Sequence, residues 1–270
     1  WVGDEEVART PELLPIRGAI YPNATSKGFD ANIAPLARYP LRGFIYMQGE
    51  SNCLKGQDEI YRHALPALIR SWRRAWGNDT LPFLVVQLWR AMNLKLDPNE
   101  QFSMDPAQLR AWHEATQAGA QPLLNVREAQ RVTRQTLPHV GLVVTIDVGD
   151  LADAQDAHPR HKKPIGDRLA MVARKVAYGE TDPTLESPLP EKAEFLGDSV
   201  RVRFINADGG LVVQGDEAVG FELAGADGTW HSARATVEGT TVTVRSEAVN
   251  NPKAVRYAWA GFPQFSLFNR

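Results

Sequence analysis

Cysteine is nearly absent: Cys53 is the only one in 270 residues, which excludes an internal disulfide framework and a zinc site built on thiolates. Long hydrophobic runs are missing too. No apolar stretch approaches the roughly 20 residues that span a bilayer, and the longest, LPFLVVQLW, has the length of a buried strand. Nor is there an excess of one charge. The 30 basic residues nearly cancel the 32 acidic ones, and no run of Lys or Arg interleaved with aromatics would track a phosphate backbone. Neither a nucleic acid nor a membrane is therefore expected as a partner. The chain opens on WVGDEEVARTPELL, with neither an initiator Met nor the basic and apolar regions of a signal peptide. It reads as mature, trimmed or nicked; the lack of disulfides leaves the compartment open, because secreted proteins can also lack them, and a secreted or periplasmic location is the expectation.

What is present is a chain 43% hydrophobic and long enough for a substantial core, with two domains as the natural expectation. Three short apolar runs, GFIYMQ (43 to 48), PFLVVQL (82 to 88) and GLVVTIDV (141 to 148), read as strands buried on both faces. Helical patterns separate them. Tyr61, Leu65, Leu68, Ile69, Trp72 and Trp76 recur at helical spacing between the first two, REAQRVTRQTL (127 to 137) lies between the second and third, and KPIGDRLAMVARKVAYG (163 to 179) follows. Alternating strand and helix predicts an α/β unit, a parallel sheet between helical layers, over residues 1–180. The Pro-rich, acidic segment 181–192 reads as a linker. Over residues 193–270, alternating strands such as SVRVRFIN, TTVTVRS and AVRYAWA, separated by Gly and Asp turns, predict a small all-β domain of about 75 residues, sandwich-like in architecture.

Sheets of this class place ligands beyond the carboxyl ends of their strands. The first strand runs into MQGESN, where Gln48, Glu50, Ser51 and Asn52 crowd around Gly49, a residue that lets the backbone turn sharply. The third runs into DVGDLADAQDAHPRHKK. There Asp156 stands two residues before His158, a spacing that lets a carboxylate orient an imidazole toward a hydroxyl nucleophile. A polar turn and a solvated loop are the plainer readings of these two stretches. A rival is a cation site, because Asp147, Asp150, Asp153 and Asp156 recur every three residues before His158 and His161. That spacing fits neither an EF-hand nor an H-E-x-x-H motif. His63, His113, His139 and His231 have no comparable neighbours and receive no role.

Taken together, GFIYMQGESN and DAQDAHPRHKKPIGDRLA make the sequence resemble the sialate O-acetylesterase family, serine esterases of the SGNH hydrolase class. The likeness extends over nearly the whole chain, through REAQ, the D-x-H-P block followed by K-x-x-G-x-R-L-A, and the C-terminal GFELAGADGTW and NNPKAVRYAWAGFPQFSLFN. It implies an SGNH-hydrolase-like three-layer fold and hydrolysis of O-acetyl esters, sialic acids first, by a Ser/His/Asp triad without a cofactor. His158 would be the general base and Asp156 its orienting acid. Gln48 would donate to the oxyanion beside the nucleophile's own amide, Gly49 and Glu50 would shape the turn, and Asn52 is a further oxyanion candidate.

The family's nucleophilic serine lies in a G-Q-S-N turn after the first strand of its sheet, and this chain contains no G-Q-S-N. Ser51 sits in the wrong block to replace it. The reading is that the acid and base are here, whereas the serine belongs to an N-terminal fragment of the same protein, which would then be a partner alongside the acetylated carbohydrate substrate. Tyr46 and Met47 also stand where the family often has bulkier aromatics. Two other readings remain open: an acetylesterase acting on plant polysaccharide of the acetyl xylan type, and a non-catalytic carbohydrate-binding or scaffold subunit.

Overall fold

The computed structural model describes residues 1–16, 24–54, 57–91, 120–149 and 160–269. They fall into two compact units that interleave along the chain. One comprises Trp1–Leu88, Pro122–Val143 and Val172–Gly179; the other comprises Trp89–Gln121, Val144–Met171 and Glu180–Arg270.

The first unit is built on three parallel strands, β1 (Phe44–Met47), β2 (Phe83–Val86) and β3 (Val140–Val143), in the order β1-β2-β3. Six α-helices occur in the described part of the chain: α1 (Asp4–Arg9), α2 (Ala24–Asn32), α3 (Glu50–Leu54), α4 (Asp58–Ala75), α5 (Gln121–Thr136) and α6 (Lys163–Val176). Helix α4 follows its sequence pattern closely. Tyr61, Leu65, Leu68 and Ile69 are buried along one face, Asp58 and Glu59 occupy the first turn, and Arg73 and Arg74 occupy the last, each charge placed where the helix dipole favours it. The buried Arg73 guanidinium satisfies carbonyls ahead of both neighbouring strands, Leu81 at 2.9 Å, Pro138 at 2.8 Å and His139 at 3.1 Å. The buried Glu6 carboxylate accepts from Arg70 at 2.6 Å and Arg74 at 2.8 Å, which fastens α1 to α4.

Strands β2 and β3 are buried at every position, as their unbroken apolar runs predict. β1 is not. Phe44 and Tyr46 pack beneath α4, Phe44 lying 5.2 Å from Trp72 and 5.0 Å from Trp76 between ring centroids. The alternate residues Ile45 and Met47 are 66% and 45% exposed. The expectation that GFIYMQ is buried on both faces is thus corrected. β1 lies at the edge of the sheet, and among the described residues nothing pairs with its outer edge or covers its second face.

Packing behind β3 depends on one missing side chain. A Cβ built on Gly141 would lie 2.3 Å from Val172 Cγ1 and 3.0 Å from Val176 Cγ2, so the helix rests directly on the strand backbone. Gly141→Ala should therefore destabilise the protein by about 1–3 kcal/mol through overpacking. Urea unfolding checks this: the midpoint should fall while the denaturant slope stays constant.

In the second unit, β4 (Leu189–Leu196), β5 (Ser199–Ile205), β10 (Thr241–Arg245) and β9 (Arg234–Glu238) form one antiparallel sheet in the order β4-β5-β10-β9. A second antiparallel sheet has the order β11-β7-β8, from Ala254–Tyr257, Phe221–Ala224 and Trp230–Ser232. The pair β6 (Leu211–Val213) and β12 (Leu267–Asn269) completes the set. Val200, Val202 and Phe204 of β5, Val242 and Val244 of β10, and Phe221 and Leu223 of β7 share one core, the period-two inward set that the alternating sequence predicts. Glu222 and Arg256, directly opposite across β7 and β11, form a bidentate pair at 2.8 and 3.0 Å, and Trp230 lies over the guanidinium at 4.2 Å. The segment read as a linker, 181–192, carries a 3₁₀ turn (Pro183–Leu185) and already contains the first residues of β4. β4 escapes a sequence reading because seven of its eight positions are not buried, so it lacks the alternation that marks a half-buried strand.

Candidate active site

The MQGESN stretch turns where β1 ends and α3 begins, at the carboxyl end of the parallel sheet. Gly49 makes the turn possible. Its φ is 157°, a region that disfavours a Cβ, and a Cβ there would lie 2.8 Å from Val126 Cγ1 and 3.0 Å from Leu88 Cδ1. The Gly49 carbonyl then accepts from the Asn52 and Cys53 amides at 3.0 and 3.3 Å and starts α3.

Gln48 is held at both its main chain and its side chain. Its carbonyl accepts from the Tyr61 hydroxyl at 2.9 Å and from Gln130 Nε2 at 3.2 Å. Gln130, fully buried on α5, also takes the Leu88 amide on Oε1 at 3.0 Å, so one side chain ties the ends of β1 and β2 together. The side-chain amide of Gln48 is fixed on its two sides: the Tyr46 hydroxyl donates to Oε1 at 2.9 Å, and Nε2 donates to Asn52 Oδ1 at 2.7 Å. An amide Nε2 has two hydrogens. The second has no acceptor among the described residues, so a structured N–H donor stands at the strand end.

The other members of the turn divide. Asn52 lies beside Gln48 through that bond, and its Nδ2 donates to none of the described residues. The Glu50 carboxylate makes no hydrogen bond or ion pair with the described residues, so the turn-holding bond expected of it is absent there. Ser51 is exposed on α3. Cys53, the sole thiol, donates to the Gly49 carbonyl at 3.4 Å. Burial, with the Asp58 and Glu50 charges nearby, pushes it up to about 12, so it stays a thiol rather than a nucleophilic thiolate.

Asp156 and His158 lie outside the described residues, as do Asp150 and Asp153. The positions that flank them in sequence are described. Asp147, in the turn after β3, receives both Nη atoms of Arg168 on α6 at 2.6 and 2.5 Å, and Arg168 also donates to the Val144 carbonyl at 2.9 Å. The Asp147 hydrogen bond is the leading cause that holds the Arg168 guanidinium above its ordinary value. With both oxygens engaged by a cation, Asp147 is a poor ligand for a metal ion, and no cluster of three or more His, Cys, Asp or Glu among the described residues could hold one. His161 is exposed. No helix among the described residues is long and apolar enough to cross a membrane.

Sequence reasoning missed Tyr46, Tyr61 and Gln130 as parts of this site. The first appeared only as a departure from the family, the second as a core position of α4, and the third as the last letter of REAQ.

Comparison with known proteins adds to this geometry. The family described as carbohydrate esterase, sialic acid-specific acetylesterase, matches residues 29–175. The chain is 28% identical over 263 residues to a human sialate O-acetylesterase, covering 93% of this chain and 47% of that protein. It is 29% identical over 255 residues to the mouse protein of the same name, covering 90% of this chain and 44% of that protein. A crystal structure of a carbohydrate acetylesterase from Xanthomonas citri superposes with a TM-score of 0.71 at 37% identity, covering 87% of this chain and 49% of that one. The chain spans about half the length of the curated relatives it matches. With more than half of its residues inside the family match, the Gln48 turn among them, this chain belongs to the sialic acid-specific carbohydrate acetylesterase family.

Proposed function

We propose that this chain is part of a serine-type carbohydrate esterase that hydrolyses O-acetyl esters, with acetylated sialic acids as the substrate class. The observation that carries the reading is Gln48: an amide pinned on both sides at a strand's carboxyl end, with one N–H uncommitted, is a donor preorganised for charge that develops on a carbonyl oxygen. In this reading a serine Oγ attacks the acetyl carbon while His158 Nε2 takes its proton, and Asp156 holds the imidazole by Nδ1. The oxyanion is met by Gln48 Nε2 and the serine's own amide. Collapse expels the sugar alkoxide, which takes the proton back from His158. Water, activated by the same base, then frees acetate from the acyl-enzyme. The SGNH-type three-layer arrangement, with residues 1–180 as the esterase portion and 193–270 as the β domain, belongs to the same proposal.

The serine is assigned to an N-terminal segment of the same protein. Support comes from β1, whose outer edge is unpaired and whose Ile45 and Met47 are exposed among the described residues. An open edge of apolar residues normally finds a partner. A further parallel strand there would end beside the Gln48 turn. The solved relative, described only as a carbohydrate acetylesterase, keeps acetylated plant polysaccharide as the second reading.

The test uses the complete natural protein. Acetate release from O-acetylated sialic acid is compared with release from acetylated xylan, alongside labelling by a serine-directed fluorophosphonate. Acetate release with the label on a serine N-terminal to this chain is the expected result, with sialic acid the faster substrate. Prolonged chelation should leave the rate unchanged, because a serine mechanism needs no Lewis acid. Loss on chelation with recovery by one divalent ion would move the assignment to a metal hydrolase, and sugar binding without turnover would move it to a binding module.

A further inference from the structure

Gln48 can serve an oxyanion only if its amide faces the right way, and the Gln48–Asn52 pair does not fix this by itself. The two amides share one hydrogen bond, Gln48 Nε2 to Asn52 Oδ1 at 2.7 Å. Turning both amides over would keep a bond of the same kind, Asn52 Nδ2 to Gln48 Oε1, while presenting a lone pair where a donor is needed. Something outside the pair must distinguish the two states. The hydroxyl of Tyr46, which donates to Gln48 Oε1 at 2.9 Å, is the described group placed to do so.

We infer that Tyr46 is a positioning residue, whose hydroxyl selects the amide orientation of Gln48 that aims Nε2–H outward as the oxyanion donor. The inference rests on the esterase reading above and adds to it a residue at which this chain departs from its family's usual aromatics. In the turned-over state Nε2–H would face the Tyr46 oxygen, so the hydroxyl could keep its bond to Gln48 only as an acceptor, and its own hydrogen would lose the Oε1 acceptor it has now. Three features suit Tyr46 to the task. Its ring is wedged between Trp72, 6.2 Å away and edge-on, and Phe83 at 5.8 Å, so the hydroxyl has little freedom to follow a rotating amide. It stands two residues before Gln48 on the same strand, and the Gln48 carbonyl is separately clamped by Tyr61 and Gln130, so donor and acceptor share one rigid frame. Burial above all, with the Glu50 charge adding to it, pushes the phenol well above its ordinary value. The group therefore remains a donor across the working pH range.

Tyr46→Phe isolates the hydroxyl, because the ring contacts survive the substitution. The experiment reads the Gln48 side-chain amide by ¹⁵N NMR in the complete natural protein, identified by its disappearance in Gln48→Ala, together with kcat and KM for an acetyl ester in Tyr46→Phe, Gln48→Ala and the double variant. The expected result is a shifted and faster-exchanging Gln48 amide in Tyr46→Phe, with kcat lower by roughly 3- to 10-fold, the equivalent of one ordinary hydrogen bond. KM should stay within about twofold, since the donor acts on the transition state. On the Gln48→Ala background, Tyr46→Phe should cost nothing further. An unchanged Gln48 amide in Tyr46→Phe overturns the inference, and so does an equal loss of kcat with and without the Gln48 side chain, which is what a merely structural role would give. If the wild-type protein releases no acetate, the esterase reading falls separately, and the amide signals alone decide whether Tyr46 orients Gln48.

Discussion

His158→Ala is expected to lower kcat for an acetyl ester by on the order of 10⁴-fold or more while the protein stays folded. A serine hydroxyl is a weak nucleophile at neutral pH, and it gains strength by giving up its proton as the bond to carbon forms. The same proton must later reach the departing sugar oxygen. In the proposed mechanism one imidazole serves both steps, so its removal would disable acylation and deacylation together. The residual rate should still exceed that of the uncatalysed reaction, because the oxyanion donors and the binding site remain. Steady-state kinetics with an acetyl ester, paired with a thermal melt to verify folding, makes the check. Full activity in this variant would place the base elsewhere and remove Asp156 from the mechanism with it.

Gln48→Ala carries the second-largest expected effect, a fall of about 10²- to 10³-fold in kcat with little change in KM. The size follows from preorganisation. The Gln48 main chain is held by Tyr61 and Gln130 and its amide by Tyr46 and Asn52, so in the proposed mechanism the N–H would need no reorientation as negative charge develops. Water entering the vacated space would have to be ordered anew in each turnover. Gln48→Glu should fare no better, because a carboxylate presents charge of the oxyanion's own sign. A KM effect without a kcat effect would make Gln48 a substrate contact instead of a transition-state donor.

Much of this architecture was determined by the sequence alone. β1 and β2 fall inside their predicted runs and β3 begins one residue before its own, while α4 and α6 match their predicted helical stretches closely and α5 begins earlier than its pattern suggested. These features follow from near-neighbour periodicity, which a chain displays whether or not it is folded. The family could be read in the same way, because its motifs are short and contiguous. The extent of β3 was overestimated: the apolar run continues to Val148, but the backbone leaves the strand after Val143 and turns, with the Val148 amide returning to the Thr145 carbonyl at 2.9 Å. Asp147 and Gly149 belong to that exit, and no local pattern marks where pairing stops and turning starts.

Only the tertiary structure decided the rest. Gln130 reaches the Gln48 carbonyl across 82 positions of chain and Arg168 reaches Asp147 across 21. Neither pairing has a signature in either segment, since each side chain alone reads as one more polar residue on a helix or in a loop. The exposure of Ile45 and Met47 was equally hidden, because burial depends on what lies against a strand and not on its composition. The orientation of one amide, on which the proposed chemistry turns, came from a hydroxyl two residues away whose direction only the packed rings of Trp72 and Phe83 could set. Local periodicity encodes which elements form; the placement of a donor to within a hydrogen bond is a property of side chains that meet only after those elements pack.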